Sequence, residues 1–358
     1  MAEPAIVYCQ DGLNSTVGKT AHGLIRFSRR FEVLAVVDRQ HAGKDAGTVV
    51  LGSPKGIPVL ASIPEAVSYC RNRGAPASTL VVGLAPDGGR LSGAQRQEVL
   101  GAVKLGLHII SGLHQFLSED PDFRREAERT GVRILDVRKP PPREQLHFFT
   151  GKIREVGAVR IAVLGTDSAV GKRTTAWLIV DGLNALGVQA ELVGTGQTAW
   201  LQGARYSIML DSLVNDFVTG EIEHAVWTAW QEQRPQAIVV EGQGSLLHPA
   251  YPGGFEILAA ARPELIVLQH APARTTYDGF PEYPMDPLPR QIQAVELISG
   301  KAVTAVAVNH EGCRPAEIPA LLRKIEKETG IPAFDPLFQG PERLAQYLAE
   351  KVWALERS

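Results

Sequence analysis

Gly165-Thr166-Asp167-Ser168-Ala169-Val170-Gly171-Lys172-Arg173-Thr174-Thr175 is the stretch whose residue types and spacing most plainly could do chemistry. Two glycines bound a short loop, and a lysine follows the second. An apolar run from Arg160 to Leu164 leads in. Ala176, Ile179, Val180, Leu183 and Leu186 then fall on one helical face. Strand, glycine loop, lysine and helix make an anion cradle. Loop and first-turn N–H groups point at the anion, the helix dipole favours negative charge, and the lysine adds a mobile positive one.

The usual phosphate-loop pattern places Ser or Thr directly after the lysine, where its hydroxyl holds magnesium. Here Gly165 comes one position early, Thr166 takes the first-glycine place, and Arg173 stands where the hydroxyl is needed. Thr174 and Thr175 follow out of register. That spacing predicts phosphate binding and speaks against Mg-ATP hydrolysis. The early glycine with Thr166-Asp167, and the later Val240-Glu241-Gly242-Gln243-Gly244, resemble strings in dethiobiotin synthetase and its P-loop relatives.

A second glycine–lysine loop, Asp11 to Thr20, follows an early strand at Ala5 to Tyr8. It contains Gly18-Lys19-Thr20, and Thr20 does follow its lysine directly. The spacing reads either as a duplication or as two loops serving one task. Asp38 ends the strand Phe31 to Val37, about 20 residues after a loop glycine, where a dinucleotide fold holds a ribose hydroxyl. The loop is not GxGxxG, and capping of the next turn is the plainer role for Asp38.

Elements able to position these groups alternate along the whole chain. Short apolar strands at Ile57 to Leu60, Leu80 to Gly83, Leu107 to Ser111 and Val132 to Val137 alternate with helices at Pro64 to Arg71, Ser92 to Leu105 and Asp120 to Thr130. Such alternation implies a parallel sheet covered on both faces. Arg138-Lys139-Pro140-Pro141-Pro142-Arg143 breaks it, and three prolines predict a stiff, exposed linker. The expected division is a Rossmann-like domain at 1–140, a linker at 141–156 and a P-loop NTPase-like α/β/α domain at 157–358. In the second part, Gln189 to Val193 ends in the glycine turn Gly194 to Thr198. Ala237 to Glu241 is a buried strand ending in an acid beside the phosphate loop. Leu265 to Gln269 is followed by His270 and Arg274. Phe280 to Pro289 is proline-rich and expected to be an irregular functional loop or lid.

The 358 residues suit two domains. A net charge of −2 gives no reason to expect nucleic acid or an anionic membrane as partner. Cys9, Cys70 and Cys313 lie far apart and read as reduced thiols of a cytoplasmic protein. No signal peptide, membrane span or metal set is expected.

The first half resembles the CoA-binding domains of succinyl-CoA synthetase type in Gly56 to Ala66, Leu80 to Gly83 and Gly106 to Ile110. Over nearly its full length the chain resembles a two-domain bacterial family, formerly of unknown function, whose members include D-glutamate N-acetyltransferase. The residues behind this are Gly18 to Leu24, Phe31 to Val33, Ala42 to Gly47, Gly56 to Val59, Gly165 to Ala176 and Val240 to Ser245. The resemblance implies acetyl transfer from acetyl-CoA to the amino group of D-glutamate. A homo-oligomer is expected. On that reading Gly165 to Thr175 hold the donor's phosphates, with Lys172 and Arg173 as the cationic clamp. Arg205, Arg274 and Arg290 are candidates for the acceptor's carboxylates, Gln197 is a further substrate-binding candidate, and Gly196-Gln197 or Gly242 to Ser245 could offer N–H groups to the oxyanion. Glu241, His248 and His270 are candidates for the base, of which Glu241 and then His270 are preferred. ATP with magnesium remains the cofactor of an alternative reading, a ligase or carboxylating enzyme of dethiobiotin-synthetase type.

Overall fold

The computed structural model describes residues 2–357. The chain divides into two compact units. One comprises the residues up to Pro141 together with Gln197–Ala204, the other Pro142–Gly196 and Arg205–Ser358.

The first unit holds β1 (Glu3–Tyr8), α1 (Lys19–Arg26), β2 (Phe31–Val37), α2 (Ala46–Leu51), β3 (Val59–Leu60), α3 (Ile63–Asn72), β4 (Thr79–Val82), α4 (Gly93–Lys104), β5 (His108–Ser111), α5 (Pro121–Thr130) and β6 (Ile134–Asp136). Its strands form a parallel sheet in the order β3-β2-β1-β4-β5-β6, with the reversal between β1 and β4. Ile6, Val7, Val36, Leu80, Val81 and Ile109 are fully buried, as strands covered on both faces require. Ser92 and Gln95 form a reciprocal capping box on α4.

The second unit begins with a segment that packs rather than spans. Residues 143–145 and 152–155 form single 3₁₀ turns, and Ile153 and Val156 are buried. Glu223 accepts hydrogen bonds from the N–H groups of Thr150 and Ile153. The expected linker at 141–156 is exposed over most of its length, and its later part, from residue 147 on, is fastened to a helix.

Next come β7 (Val159–Gly165), α6 (Lys172–Ala185), β8 (Ala190–Gly194), α7 (Gln197–Gln202), β9 (Tyr206–Ser207), α8 (Asn215–Gln233), β10 (Ala237–Glu241), α9 (Phe255–Ala261), β11 (Leu265–His270), β12 (Thr276–Tyr277), β13 (Phe280–Pro284), α10 (Leu288–Ser299), β14 (Ala305–Val308), α11 (Ile318–Thr329), β15 (Ala333–Phe334) and α12 (Glu342–Glu356). Seven strands make one parallel sheet in the order β15-β14-β11-β7-β10-β8-β9. β7 lies between β10 and β11 and runs parallel to both, so its carboxyl end opens at the centre of the sheet edge. That is where open α/β sheets bind ligands.

Two features depart from the expectation. α7 belongs to the first unit: Leu201 joins that core, the Gln202 carbonyl accepts the Arg29 N–H at 2.8 Å, and the Thr20 and Thr198 hydroxyls meet at 3.3 Å. The stretch Phe280–Pro289 is not irregular. β12 and β13 pair as an antiparallel ribbon, and α10 starts at Leu288. Pro281 and Pro284 fit because a two-stranded ribbon leaves outward positions that need no ladder donor.

Candidate functional site

The loop after β7 is bent by two left-handed residues, Ala169 (φ 50°) and Gly171 (φ 106°). A side chain is strained at such an angle, so glycine suits the position just before α6. Lys172 opens α6, and its Nζ folds back over the loop. It donates to the carbonyls of Asp167 and Gly244, each at 2.7 Å. Two glycines make room for it. A Cβ on Gly165 would lie 2.9 Å from Lys172 Cδ, and one on Gly242 would lie 3.2 Å from the same atom. Burial pulls the Lys172 ammonium down to about 8, and the charges of Asp167, Glu241 and Asp278 partly restore it.

The other glycine–lysine loop is built differently. Gly18 has φ −83°, a 3₁₀ turn spans Thr16–Gly18, and Lys19 is exposed. Turns consume loop groups, with Ser15 N–H on Gly12 O at 3.1 Å and Gly18 N–H on Ser15 O at 3.0 Å. The resemblance between the loops is one of spacing and does not extend to backbone shape. Asp38 is fully buried. It accepts from the Asp11 N–H at 2.8 Å and pairs with His41 Nδ1 at 2.5 Å. Its carboxylate fastens the turn after β1.

Asp167 holds the cradle together. Its buried carboxylate accepts from the N–H groups of Ser168 (2.7 Å) and Asp278 (3.1 Å) and from Arg274 Nη1 (2.9 Å). His248 Nε2 stands 3.3 Å away. His248 Nδ1 accepts the N–H groups of Ala250 and Tyr251, so the neutral ring carries its proton on Nε2, facing Asp167. Burial lowers the His248 pKa, and Asp167 opposes that shift. Arg274 also donates to the carbonyls of Ser168 and Ala169 and meets Glu311 at 3.3 Å. Further braces come from Gln291 to Thr166 O and from Asn309 to Val170 O, both at 3.0 Å. Ser168 Oγ donates to Asp278 at 2.9 Å.

Glu241 ends β10 in register with Val163. Its Oε2 accepts the Thr195 N–H at 3.0 Å, and the Thr195 hydroxyl donates to the Glu241 carbonyl. Burial raises the Glu241 carboxyl, against the pull of Arg173, the Thr195 N–H and Lys172. His270 sits at the end of β11 with Nδ1 3.0 Å from the Thr166 hydroxyl, and burial drops its pKa to about 4. The Thr175 hydroxyl donates to Gln269.

Lys172, Arg173, Glu241, His248 and His270 thus lie on or beside the loops of one sheet edge. Arg274 is there too, with its guanidinium engaged in bracing the loop. Arg205 pairs with Glu232 at 2.7 Å and Arg290 with Asp286 at 2.9 Å, both on the exposed surface. Neither guanidinium is held at the phosphate loop. Gln197 lies in the first unit, where its carbonyl oxygen accepts from Arg138 at 2.8 Å. Asp278, Gln291, Asn309 and the pair His310–Asp335 were not anticipated. Only Asn309 and His310 had an available signal, their place just after an apolar strand.

A central strand, a left-handed glycine and a buried lysine at the head of a helix define a P-loop α/β domain, here in a chain that also carries a Rossmann-like unit. Residues 39–140 match the Rossmann-like N-terminal domain model of DUF1611, and residues 147–345 match its C-terminal P-loop domain model. The chain belongs to the DUF1611 family. A protein of Tritonibacter scottomollicae named D-glutamate N-acetyltransferase is 31% identical over 77% of this chain and 83% of its own length. One of the same name from Pseudoalteromonas sp. is 27% identical over 78% of this chain and 84% of its own. The crystal structure of a DUF1611 family protein from Anabaena variabilis superposes with a TM-score of 0.88 at 28% identity, covering 98% of this chain and 99% of that one. Among the described residues, no helix is long and apolar enough to cross a membrane.

Proposed function

We propose that the protein transfers an acetyl group from acetyl-CoA to the amino group of D-glutamate. The observation that carries this is the similarity, over most of both chains, to two proteins named for that activity. The loop chemistry supports it. Acetyl-CoA brings a pyrophosphate and a 3′-phosphate, which need cations and N–H donors rather than bond cleavage. Lys172 and Arg173 supply cations at the head of α6, next to its positive dipole end. Arg173 fills the position of the magnesium-binding hydroxyl, and the Thr175 hydroxyl is committed to Gln269. An ATP-dependent ligase is therefore less well served by this loop. It keeps one supporting feature, the acid Glu241 at the end of the strand beside β7.

The acceptor amine must lose a proton, and the thioester carbonyl must gain hydrogen bonds as it becomes tetrahedral. The N–H groups of Gln243 and Gly244 are candidates for the second task, because those of Gly242 and Ser245 already donate to Val163 O and Tyr251 O. The test is thiol release from acetyl-CoA with D-glutamate. CoA formation that survives EDTA supports the transferase. Magnesium-dependent ADP formation without CoA release overturns it in favour of the ligase.

A further inference from the structure

The acetyltransferase reading leaves the base unassigned. Glu241 is buried, with its Oε2 taken by the Thr195 N–H, which leaves the imidazoles near the phosphate loop. His248 is sealed from solvent, and its Nε2 proton faces Asp167 while Nδ1 accepts two backbone N–H groups. No lone pair on that ring is left to reach a ligand. His270 is held by Thr166, and at about 4 its pKa makes it a weak base near neutrality.

His310 is different. It follows the end of β14 by two residues. Its Nδ1 lies 2.7 Å from Oδ2 of Asp335, which follows β15, the neighbouring parallel strand. Asp335 is fully buried, whereas the His310 side chain is 35% exposed. The other Asp335 oxygen accepts the N–H groups of Leu337 (3.2 Å) and Phe338 (3.0 Å), which fixes the carboxylate. A carboxylate only accepts, so Nδ1 carries the proton and Nε2, on the far edge of the ring, keeps its lone pair. Phe338 packs edge-on against the ring at 6.3 Å. The chain neighbours of His310 are both tied to the phosphate loop: Asn309 donates to Val170 O at 3.0 Å, and Glu311 meets Arg274, which donates to Ala169 O. A carboxylate-backed imidazole with one accessible nitrogen therefore stands at the rim of the donor cradle.

We propose that His310, oriented by Asp335, is the general base for acetyl transfer; this rests on the acetyltransferase reading above. Nε2 takes a proton from the acceptor's neutral amino nitrogen as that nitrogen bonds to the thioester carbonyl carbon. The C–S bond then breaks, and the leaving sulfur takes the proton from the imidazolium. Amine and thioester become amide and thiol, and the base returns to its starting state. Asp335 is a positioning residue: it holds the tautomer and stabilises the transient imidazolium.

The test uses the full chain and steady-state CoA release from acetyl-CoA and D-glutamate across pH. In His310→Ala, kcat is expected to fall about 10²- to 10⁴-fold with KM for both substrates little changed. Added imidazole should restore part of kcat. Asp335→Asn should also lower kcat, because the asparagine amide can donate to Nδ1 and put the proton on Nε2. His310→Asn serves if the alanine variant does not fold. A folded His310 variant that keeps kcat within about threefold of wild type overturns the assignment. Wild-type protein that releases no CoA with any amino acid overturns the acetyltransferase reading itself, and the assignment with it.

Discussion

Arg274 Nη1 meets the buried Asp167 carboxylate at 2.9 Å across 107 positions of sequence. The same guanidinium donates to the carbonyls of Ser168 and Ala169, so one side chain fixes three successive residues of the phosphate loop. Removing it leaves a buried carboxylate with fewer partners, which is costly. Because Arg274 is partly solvated, Arg274→Ala is expected to lose about 2–3 kcal/mol, below the full cost of breaking a buried pair. Chemical denaturation followed by tryptophan fluorescence measures this. An unchanged midpoint would mean that the brace contributes nothing to the folded loop.

Lys172 gives a pH-dependent prediction. Its folded pKa, about 8, lies below the usual 10.5 of a lysine because burial disfavours the ammonium. The unfolded chain therefore binds more protons between those values, and stability rises as pH increases from about 8 to about 10.5. Lys172→Met should flatten that rise, as seen in denaturation midpoints across the window. It should also weaken the binding of CoA about 10- to 100-fold at pH 7, the worth of one charge-assisted contact. Wild-type CoA affinity should decline above about pH 8, and the variant's should not. Isothermal titration of CoA at several pH values reads both.

Glu241 runs the opposite way. Burial raises its carboxyl above the ordinary value of 4.5. Stability from this group is complete below 4.5 and is lost as pH rises through the folded pKa. Glu241→Gln keeps an oxygen for the Thr195 N–H and has no charge to bury. The variant is expected to be more stable than wild type at neutral pH and equal to it in acid. A variant less stable at pH 7 would mean that attraction to Arg173 and Lys172 outweighs the burial cost.

What the sequence made legible was local. The apolar run Arg160 to Leu164, the two glycines and Lys172 identify strand, loop and helix without any distant contact. Val239, Val240 and Glu241 announce a buried strand ending in an acid for the same reason. Residues acting across the fold left no such mark. Arg274 had the composition of a substrate clamp, and only the turn after β11 shows that it points at Asp167. Gly18-Lys19-Thr20 matched Gly171-Lys172 in spacing, but the sign of the glycine φ separates them, and glycine permits either sign. Asp335 reads as a turn residue until β15 sets it beside His310. The prolines at 281 and 284 argued against regular structure, but a two-stranded ribbon has outward positions where a missing N–H costs nothing.

Two glycines near Lys172 should respond differently to one added methyl group. A Cβ on Gly165 would meet Lys172 Cδ at 2.9 Å, Nζ at 3.0 Å and Val170 Cγ2 at 3.0 Å. The first two belong to a buried lysine whose Nζ would have to give up its bonds to Asp167 O and Gly244 O, and the third to buried Val170. Gly165→Ala is therefore expected to cost about 1–2 kcal/mol, the lower range of overpacking, while CoA binding falls because the lysine is displaced. A Cβ on Gly242 would lie 2.3 Å from the Val163 carbonyl and 3.1 Å from Leu164 Cα. Those are backbone atoms of β7, and relief requires β7 and β10 to part where they pair. Gly242→Ala should cost about 3 kcal/mol, the upper range of overpacking, and lower the melting temperature well beyond Gly165→Ala. Paired melting curves and CoA titrations of the two variants check the contrast. Equal melting losses would show that the lysine is held as rigidly as the strand beneath it.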